Sequence, residues 1–389
     1  MKIPYSYSFR SLWTRKLTAV MTITGLSLVV FVFAAVLMLA NGLRETLIAT
    51  GSADNAILLR KSAESETLSS ISRDAASIIE SQPEVALGSD GKPLVTKDCM
   101  TIINMSKKGS GDMGNVTIRG ISPAGLTLRP QIKLTEGRMF TFGSSEMIAG
   151  KEISSLFDGA GIGQQVKFAG RMWTIVGIFD AGKSGFASEL IGDGEQLMQA
   201  FNRQAFSAMV FRLKSPDGLA SLKAKVESDP RLMDLKVMSE RDFYAAQSET
   251  LANFISILGM VITIIFSFGA MIGAMITMYT AVANRTVEIG TLRALGFQRR
   301  SVLGAFLIES IFISLLSGGI GLLVATSMQL VTISTVNFTS FTTIAFGFAI
   351  TPSIAIKTML FAIIMGFVGG FLPSVRASRL DIINALRSS

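Results

Sequence analysis

The sequence predicts an α-helical membrane protein with four transmembrane helices and a large α+β extracytoplasmic domain between helices 1 and 2. Three observations support this fold class. Charged residues make up only 16% of the 389-residue chain, against roughly 25% in ordinary soluble domains. Four long segments are apolar and almost free of charge. Between the first two of them, residues 44–249 have the mixed composition of a soluble domain.

The residue inventory excludes several kinds of chemistry. The chain has no histidine, so imidazole catalysis, Ser-His-Asp triads and His-ligated zinc are unavailable. Its one cysteine, Cys99, cannot form an intrachain disulfide or a cysteine metal cluster. The net charge of +8 leaves a nucleic acid, a membrane surface or another role open. We therefore expect no catalytic, metal-binding or cofactor-binding residue in this chain.

The apolar segments define the predicted spans, because about 20 apolar residues cross a bilayer core of about 30 Å. The spans are residues 17–43, 250–283, 301–331 and 353–375. A cleaved signal peptide is the alternative for the first, although this stretch is longer than a signal-peptide core. Residues 332–352 are rich in Ser, Thr, Asn and Phe and are interpreted as a short loop. A fifth span there is the alternative.

The distribution of charge favours four spans. The N-terminal tail (1–16), the loop 284–300 and the C-terminal tail (376–389) together carry 11 basic and 2 acidic residues. Cytoplasmic loops carry the excess of Lys and Arg. Four spans place all three segments in the cytoplasm, whereas five would place the C-terminal arginines outside. The charge therefore indicates orientation rather than nucleic-acid binding.

Residues 44–249 contain both strand and helix patterns, which are typical of an α+β domain. The predicted strands are Ala56–Leu59, Val116–Gly120, Gln165–Phe168, Trp173–Ile178 and Ala208–Leu213, and the predicted helices are Ser65–Glu80 and Pro216–Ser228. Helix 1 continues through Asn41–Ala49 without proline. A single helix from about residue 240 to 283 would be about 66 Å long. We interpret both extensions as stalks; a separate surface helix before span two is the alternative.

One motif matches a nucleotide-binding signature. Residues 177–184 fit G-x-x-x-x-G-K-[ST] and follow a predicted strand. A phosphate-binding loop needs a helix to begin after its lysine. Here more glycines follow, and the topology puts the segment outside the cell. We therefore interpret it as a glycine-rich loop.

Two features within the spans are candidates for function. Glu309 lies about two turns into the third span, and an acid at such a place is functional or paired with a partner. Lys357 lies near the opposite side of the membrane, and the other spans offer no acid for a proton relay. A structural or gating contact is therefore preferred. Gly269 and Gly273 form a G-x-x-x-G pattern that permits close helix packing, within one subunit or at a dimer seam.

The loop 284–300 is the most informative segment. Ile289, Leu292 and Leu295 share one face of a predicted short helix. Arg285 and Glu288 are i,i+3 neighbours, and Gly296 is suited to end the helix. The loop either lies on anionic headgroups or docks on a cytoplasmic partner. The candidate docking residues are Glu288, Ile289, Gly290, Leu292, Arg293, Leu295, Gly296, Arg299 and Arg300.

This loop resembles that of the FtsX-like permease domain. The resemblance rests on residues 288–296, on Arg299-Arg300, on Glu309-Ser310, and on Pro373, residues 376–381 and residues 385–387. The N-terminal half resembles the periplasmic domain of MacB-type permeases, at residues 119–121, 136–140, 176–179 and 188–190. The tail departs from the family pattern, Asp-Pro-x-Glu-Ala-Leu, since residues 381–386 read Asp-Ile-Ile-Asn-Ala-Leu.

The resemblance implies the permease subunit of an ABC transporter in the bacterial inner membrane. Residues 288–296 would be the coupling helix on an ABC ATP-binding subunit, which would bind the ATP and magnesium. The permease would work as a dimer with a second copy or a paralogue, and with a periplasmic adaptor or carrier in some systems. Family substrates include macrolides, peptides, siderophores and lipoproteins.

The sequence is compatible with two classes of function. The preferred one is an ATP-driven exporter or extractor that acts at the periplasmic face by mechanotransmission. The alternative is an FtsX-like signal transducer that regulates a periplasmic partner and moves no substrate. An enzyme in the outer domain is poorly supported, because no arrangement of Ser, Lys and Asp stands out.

Overall fold

The computed structural model describes residues 16–215, 217–337 and 342–382. Predictions for residues 1–15 and 383–389, in the two tails, lie outside this range. The chain divides into a helical unit (1–41, 253–331 and 347–389) and a sheet unit (42–252 and 332–346).

The secondary structure alternates short helices with strands between two long helices. The helices are α1 (Lys16–Thr50), α2 (Arg73–Glu80), α3 (Gly125–Leu128), α4 (Lys151–Leu156), α5 (Gly194–Ala200), α6 (Gly218–Ser228), α7 (Glu240–Ala283), α8 (Thr286–Ala294), α9 (Arg299–Ser327) and α10 (Pro352–Ser378). The strands are β1 (Asn55–Arg60), β2 (Val95–Ser106), β3 (Met113–Ile121), β4 (Lys133–Gly137), β5 (Glu146–Gly150), β6 (Gln165–Phe168), β7 (Arg171–Asp180), β8 (Glu189–Asp193), β9 (Ala208–Arg212), β10 (Leu235–Ser239), β11 (Thr332–Asn337) and β12 (Thr342–Gly347).

Four helices of the described chain are long and apolar enough to cross a membrane: α1, α7, α9 and α10. This agrees with the predicted number, and no fifth such helix occurs in the described residues around 332–352. α1 continues to Thr50, beyond the predicted end of its span. α7 is one helix of 44 residues, as predicted for the second stalk.

Small residues allow the helices of the helical unit to pack closely, as is common in membranes. The Ser310 hydroxyl donates a hydrogen bond of 2.5 Å to the Gly366 carbonyl, between α9 and α10. A Cβ on Gly366 would collide with the side chain of Ser314. Gly269 and Gly273 are not part of this packing, since a Cβ on either would meet no described atom within 4 Å. Of the two alternatives for these glycines, close packing inside one subunit is therefore not seen in the described residues, and a seam between subunits stays a prediction.

The sheet unit contains a ten-stranded mixed sheet with the order β10-β1-β9-β2-β3-β8-β5-β7-β4, in which β6 pairs with β7. β3 with β8 and β5 with β7 are parallel pairs, and the other neighbouring strands of this sheet pair antiparallel. All five predicted strands are present. The main hydrophobic core lies against this sheet and includes Trp173, which stacks on Phe168 with ring centroids 5.0 Å apart.

Two local predictions for this unit are wrong. Residues 65–80 do not form one helix, because Ile71 pairs with Phe206 in a β-bridge and so holds the chain extended. α2 begins only after Ser72, whose hydroxyl accepts a hydrogen bond from the Ala75 amide. Residues 332–352 are not a plain loop, since β11 and β12 form a two-stranded sheet. The Ala345 amide of β12 donates to the Ser188 hydroxyl at 3.1 Å.

The nucleotide-binding motif has no phosphate-binding geometry in the structure. β7 ends at Asp180, and Gly182 then makes a turn with φ of +60°. A short 3-10 helix, Gly185–Ser188, follows instead of an α-helix. The Lys183 side chain is 79% exposed. The interpretation as a glycine-rich loop is therefore supported.

Candidate coupling site

The candidate coupling site is the short helix α8, which lies between the ends of α7 and α9 along the chain. Arg285 precedes it at a break from helical geometry, with φ of −118°. At its end the Gly296 amide bonds to the Arg293 carbonyl, and the Phe297 amide to the Leu292 carbonyl. This pair of hydrogen bonds is the Schellman motif, and Gly296 has the positive φ of +92° that it requires. The predicted role of Gly296 as the helix terminator is confirmed.

One face of α8 is held against the other helices of the helical unit. Ile289 is 2% exposed and packs in a hydrophobic cluster with Met278, Val282, Val302, Phe306 and Ala377. Gly290 is also buried. The Arg293 guanidinium donates a hydrogen bond of 2.8 Å to the Ser378 carbonyl at the end of α10. These contacts fix the position and rotation of α8.

Arg285 connects this helix to Glu309 of α9. Its guanidinium lies 2.9 Å from the Glu288 carboxylate and 3.3 Å from the Glu309 carboxylate. The same guanidinium lies over the Phe306 ring, 5.4 Å from the centroid. Arg285 and Glu309 are both buried, whereas Glu288 is 57% exposed. The predicted contact between Arg285 and Glu288 is confirmed, and Glu309 has a basic partner that the sequence did not reveal.

The opposite face of α8 is open in the described chain. Leu295 is 68% exposed and Val287 is 42% exposed. The other exposed positions of residues 284–300 are Asn284, Glu288, Thr291, Ala294, Gly296, Gln298, Arg299 and Arg300. Leu295 was predicted to share a face with Ile289, and it does not, because residues six apart point about 120° away from each other around a helix of 3.6 residues per turn. Leu292 is half-buried between the two faces.

The predicted docking residues therefore divide into two sets. Ile289, Gly290 and Arg293 anchor the helix, while Glu288, Leu295, Gly296, Arg299 and Arg300 are exposed. Sequence reasoning missed Val287 and Thr291, although their i,i+4 spacing with Leu295 would have revealed the exposed face. A rigid helix that presents apolar, acidic and basic side chains together is suited to bind a protein surface.

Two family models match the chain. The model described as the MacB-like periplasmic core domain matches residues 19–229, and the FtsX-like permease C-terminal model matches residues 260–382. The chain belongs to the MacB-like and FtsX-like family of ABC transporter permeases. This membership confirms the resemblance seen in the loop 284–300 and in the N-terminal half.

Curated relatives agree with this membership. The chain is 27% identical over 242 residues to the macrolide export ATP-binding/permease protein MacB of Hahella chejuensis, covering 58% of this chain and 35% of the relative. It is 26% identical over 290 residues to YknZ of Bacillus subtilis, an uncharacterized ABC transporter permease, covering 70% of each. It is 30% identical over 247 residues to the pyoverdine export protein PvdT of Pseudomonas putida, covering 58% of this chain and 35% of the relative.

The chain thus spans about a third of the length of the MacB relative, whose name includes an ATP-binding part, and 70% of the length of YknZ. Among solved structures, the periplasmic region of MacB from Actinobacillus actinomycetemcomitans matches with a TM-score of 0.39 and 13% identity, over 51% of this chain and 94% of that chain. The family and the four apolar helices make this chain a membrane protein with an extracytoplasmic domain.

Proposed function

We propose that the chain is the permease subunit of an ATP-driven ABC transporter in the bacterial inner membrane. In this proposal the sheet unit is periplasmic, and both termini and α8 are cytoplasmic. ATP and magnesium bind to a separate ABC ATP-binding subunit, so the chain itself carries no catalytic residue. A second permease copy or a paralogue completes the transporter.

The two faces of α8 are the observation that supports this proposal best. ATP-driven movement of a partner acts on a permease only if the docking element cannot slip relative to the spans. Ile289, the Arg285–Glu309 pair and the Arg293–Ser378 contact restrain α8 in that way. Val287, Glu288 and Leu295 remain exposed for a partner.

The proposed mechanism is mechanotransmission. Closure of the ATP-binding subunits would displace α8 and, through it, the spans. α1 and α7 are each a continuous helix that begins or ends in the sheet unit, so they would carry this displacement to the periplasmic domain. Substrate would then be exported or extracted at the periplasmic face, with an adaptor or carrier protein as a further partner. Two relatives bear names of exporters, for macrolides and for pyoverdine.

The docking assignment is tested with the full chain in lipid vesicles and its ABC ATP-binding subunit, which the proposal expects an adjacent gene to encode. The purified chain alone should hydrolyse no ATP. We expect Leu295→Ala and Glu288→Ala to weaken binding of the ATP-binding subunit by at least fivefold, because each removes an exposed side chain. Leu295→Ala leaves the anchoring contacts unchanged, and Glu288→Ala removes one contact of Arg285 while the Arg285–Glu309 pair is retained.

The matched control is Leu87→Ala, which removes an exposed leucine of the sheet unit, 57% accessible against 68% for Leu295. This variant should bind the subunit as the parent does. Unchanged binding by both α8 variants would contradict the docking role of α8.

A further inference from the structure

A buried cluster of charged side chains lies in the sheet unit where α1 ends and α7 begins. We call it the Arg119 cluster. Its members are Glu66, Asp98, Arg119, Arg129, Glu189, Glu240 and Tyr244, all of which are less than 9% exposed. They come from the segment after β1, from β2, β3 and β8, from the segment before β4, and from the first turns of α7.

Arg119 is the centre of this cluster. Its guanidinium bonds to both oxygens of Glu189, at 2.7 and 2.9 Å, and to both oxygens of Glu66, at 2.7 and 3.1 Å. A further bond of 3.0 Å joins it to Asp98, which also accepts a hydrogen bond from Arg129. Both guanidiniums lie over the Phe186 ring, 5.1 and 5.3 Å from its centroid.

The first turns of α7 are tied to this centre. The Tyr244 hydroxyl donates to Glu66 at 3.1 Å. The Glu240 carboxylate accepts hydrogen bonds of 3.0 Å from the Ser52 amide and from the Asn55 side chain. α7 is thereby connected both to the sheet and to the segment that follows α1.

The end of α1 is held at the same place. The Thr50 hydroxyl accepts a bond of 2.7 Å from the Gly185 amide, and the Thr50 carbonyl accepts one of 3.1 Å from the Gln131 side chain. Gly51 packs so closely on α7 that a Cβ there would lie 2.6 Å from the Glu240 carbonyl oxygen. Gly185 begins the 3-10 helix after the glycine-rich loop, and this helix also supplies Phe186.

Stability alone does not account for such a cluster. Desolvation of buried charges offsets much of their mutual attraction, and apolar side chains of similar size often stabilise a fold as well. The four carboxylates also outnumber the two guanidiniums. The network instead favours one geometry at this place, because displacement of Arg119 would separate its charge from Glu66, Asp98 and Glu189.

We propose that the Arg119 cluster is a stiff joint that fixes the ends of α1 and α7 to the sheet and makes the three parts move together. This proposal rests on the proposed function, in which displacement travels along α1 and α7. Glu240 and Tyr244 are positioning residues in this joint. They contact no substrate, and they set the direction in which α7 leaves the sheet.

The test measures the stiffness of the joint in the full chain without ATP or a partner. Spin labels are placed on Glu249→Cys in α7 and on Lys167→Cys in β6, both exposed positions, while the native Cys99 is buried. The distribution of distances between the two labels is measured by pulsed electron paramagnetic resonance spectroscopy. With Glu240→Ala, which removes the contacts to Ser52 and Asn55, we expect the distribution to be at least twofold wider than in the parent. Tyr244→Phe, which removes one hydroxyl, should widen it to a smaller extent.

Glu146→Gln is the control, since it removes an ion pair with Arg138 elsewhere in the same unit. It should leave the distribution unchanged. Tyr244→Phe retains the aromatic ring, so it keeps the test informative if Glu240→Ala fails to fold. A native circular dichroism spectrum with an unchanged distribution in the joint variants would overturn the proposal. Because no ATP-binding subunit is present, this outcome is independent of whether α8 docks on one.

Discussion

At the scale of single residues, Arg285 has the most consequential surroundings in the helical unit. It is buried between an exposed acid, Glu288, and a buried one, Glu309. Loss of one partner of a buried ion pair leaves the other charge uncompensated, whereas exposed pairs contribute little. The buried acid should therefore matter more for stability than the exposed one.

Glu309→Gln should lower the free energy of unfolding by about 2 kcal/mol or more, because the buried Arg285 guanidinium loses the opposite charge of Glu309. The measurement is thermal unfolding of the full chain in detergent. Glu195→Gln is the comparison, since the Arg73 side chain that pairs with Glu195 is 53% exposed. This substitution should lower the free energy of unfolding by less than about 1 kcal/mol. An equal decrease in the free energy of unfolding in Glu309→Gln and Glu195→Gln would contradict the prediction that a buried ion pair matters more than an exposed one.

Glu189 should make stability depend on pH. Burial raises the pKa of this carboxyl group above the usual 4.5, against the opposing effect of Arg119. A group with a raised pKa stabilises the folded state fully below its unfolded pKa and loses that contribution as the pH rises through the folded value. The amide of Glu189→Gln does not titrate. The melting temperature of this variant relative to the parent should therefore increase as the pH rises above 4.5.

Glu146→Gln provides the opposite case. The hydrogen bond from Arg138 lowers the pKa of Glu146 to about 2. Its contribution is present above the unfolded pKa and is lost as the pH falls towards 2. The difference in melting temperature between this variant and the parent should stay constant from about pH 5 to 8. If the difference in melting temperature between Glu189→Gln and the parent were also independent of pH, the pKa of Glu189 would not be raised and the prediction for Glu189 would be contradicted.

At the scale of elements, α8 depends on its termination at Gly296. The Schellman bonds place Leu295 where it is exposed and turn the chain towards α9. Only glycine adopts the φ of +92° without steric cost. The direction of the loop between α8 and α9 therefore depends on one residue without a side chain.

Gly296→Ala should destabilise this turn by about 1 kcal/mol and weaken binding of the ATP-binding subunit. Hydrogen exchange at the amides of residues 295–297, followed by mass spectrometry, measures the fraying. Gly304→Ala is the matched control, because Gly304 lies inside α9 and a Cβ there meets nothing within 4 Å. Protection of the turn in Gly296→Ala equal to that in the control would contradict the prediction.

The sequence predicted those elements whose pattern is set locally. The apolar runs and the distribution of basic residues predicted the four spans, and an amphipathic pattern that leads into the uncharged run from Thr250 predicted α7 as one helix. The β-bridge between Ile71 and Phe206 and the pair β11–β12 depend on partners elsewhere in the chain, so local patterns did not reveal them. For the same reason Arg285 was not recognised as the partner of Glu309, which is 24 residues away.

At the scale of the whole molecule, the sheet unit has its own hydrophobic core. The main cluster is built from residues between Ala56 and Val237, and the second from residues between Ile121 and Ile191. The helical unit has separate clusters, such as the one around Ile289. A unit with its own core is expected to fold by itself.

A fragment of residues 52–248 should therefore be soluble and unfold cooperatively without lipid. A fragment of residues 52–239 lacks Glu240 and Tyr244 and should melt at a lower temperature, because Glu66 loses a hydrogen-bond donor. Gel filtration and circular dichroism melting curves measure both. Identical melting temperatures would show that the first turns of α7 add nothing to the fold.

The division of α8 into two faces also bears on how a permease could change its partner. Val287, Glu288, Thr291 and Leu295 are exposed, so in the proposed docking the partner protein is the main constraint on substitutions there, apart from the contact of Glu288 with Arg285. Ile289 and Arg293 must suit α9 and α10 of the same chain. A transplant of the four exposed side chains from a relative should therefore redirect pairing between permeases and ATP-binding subunits while the membrane helices stay as they are.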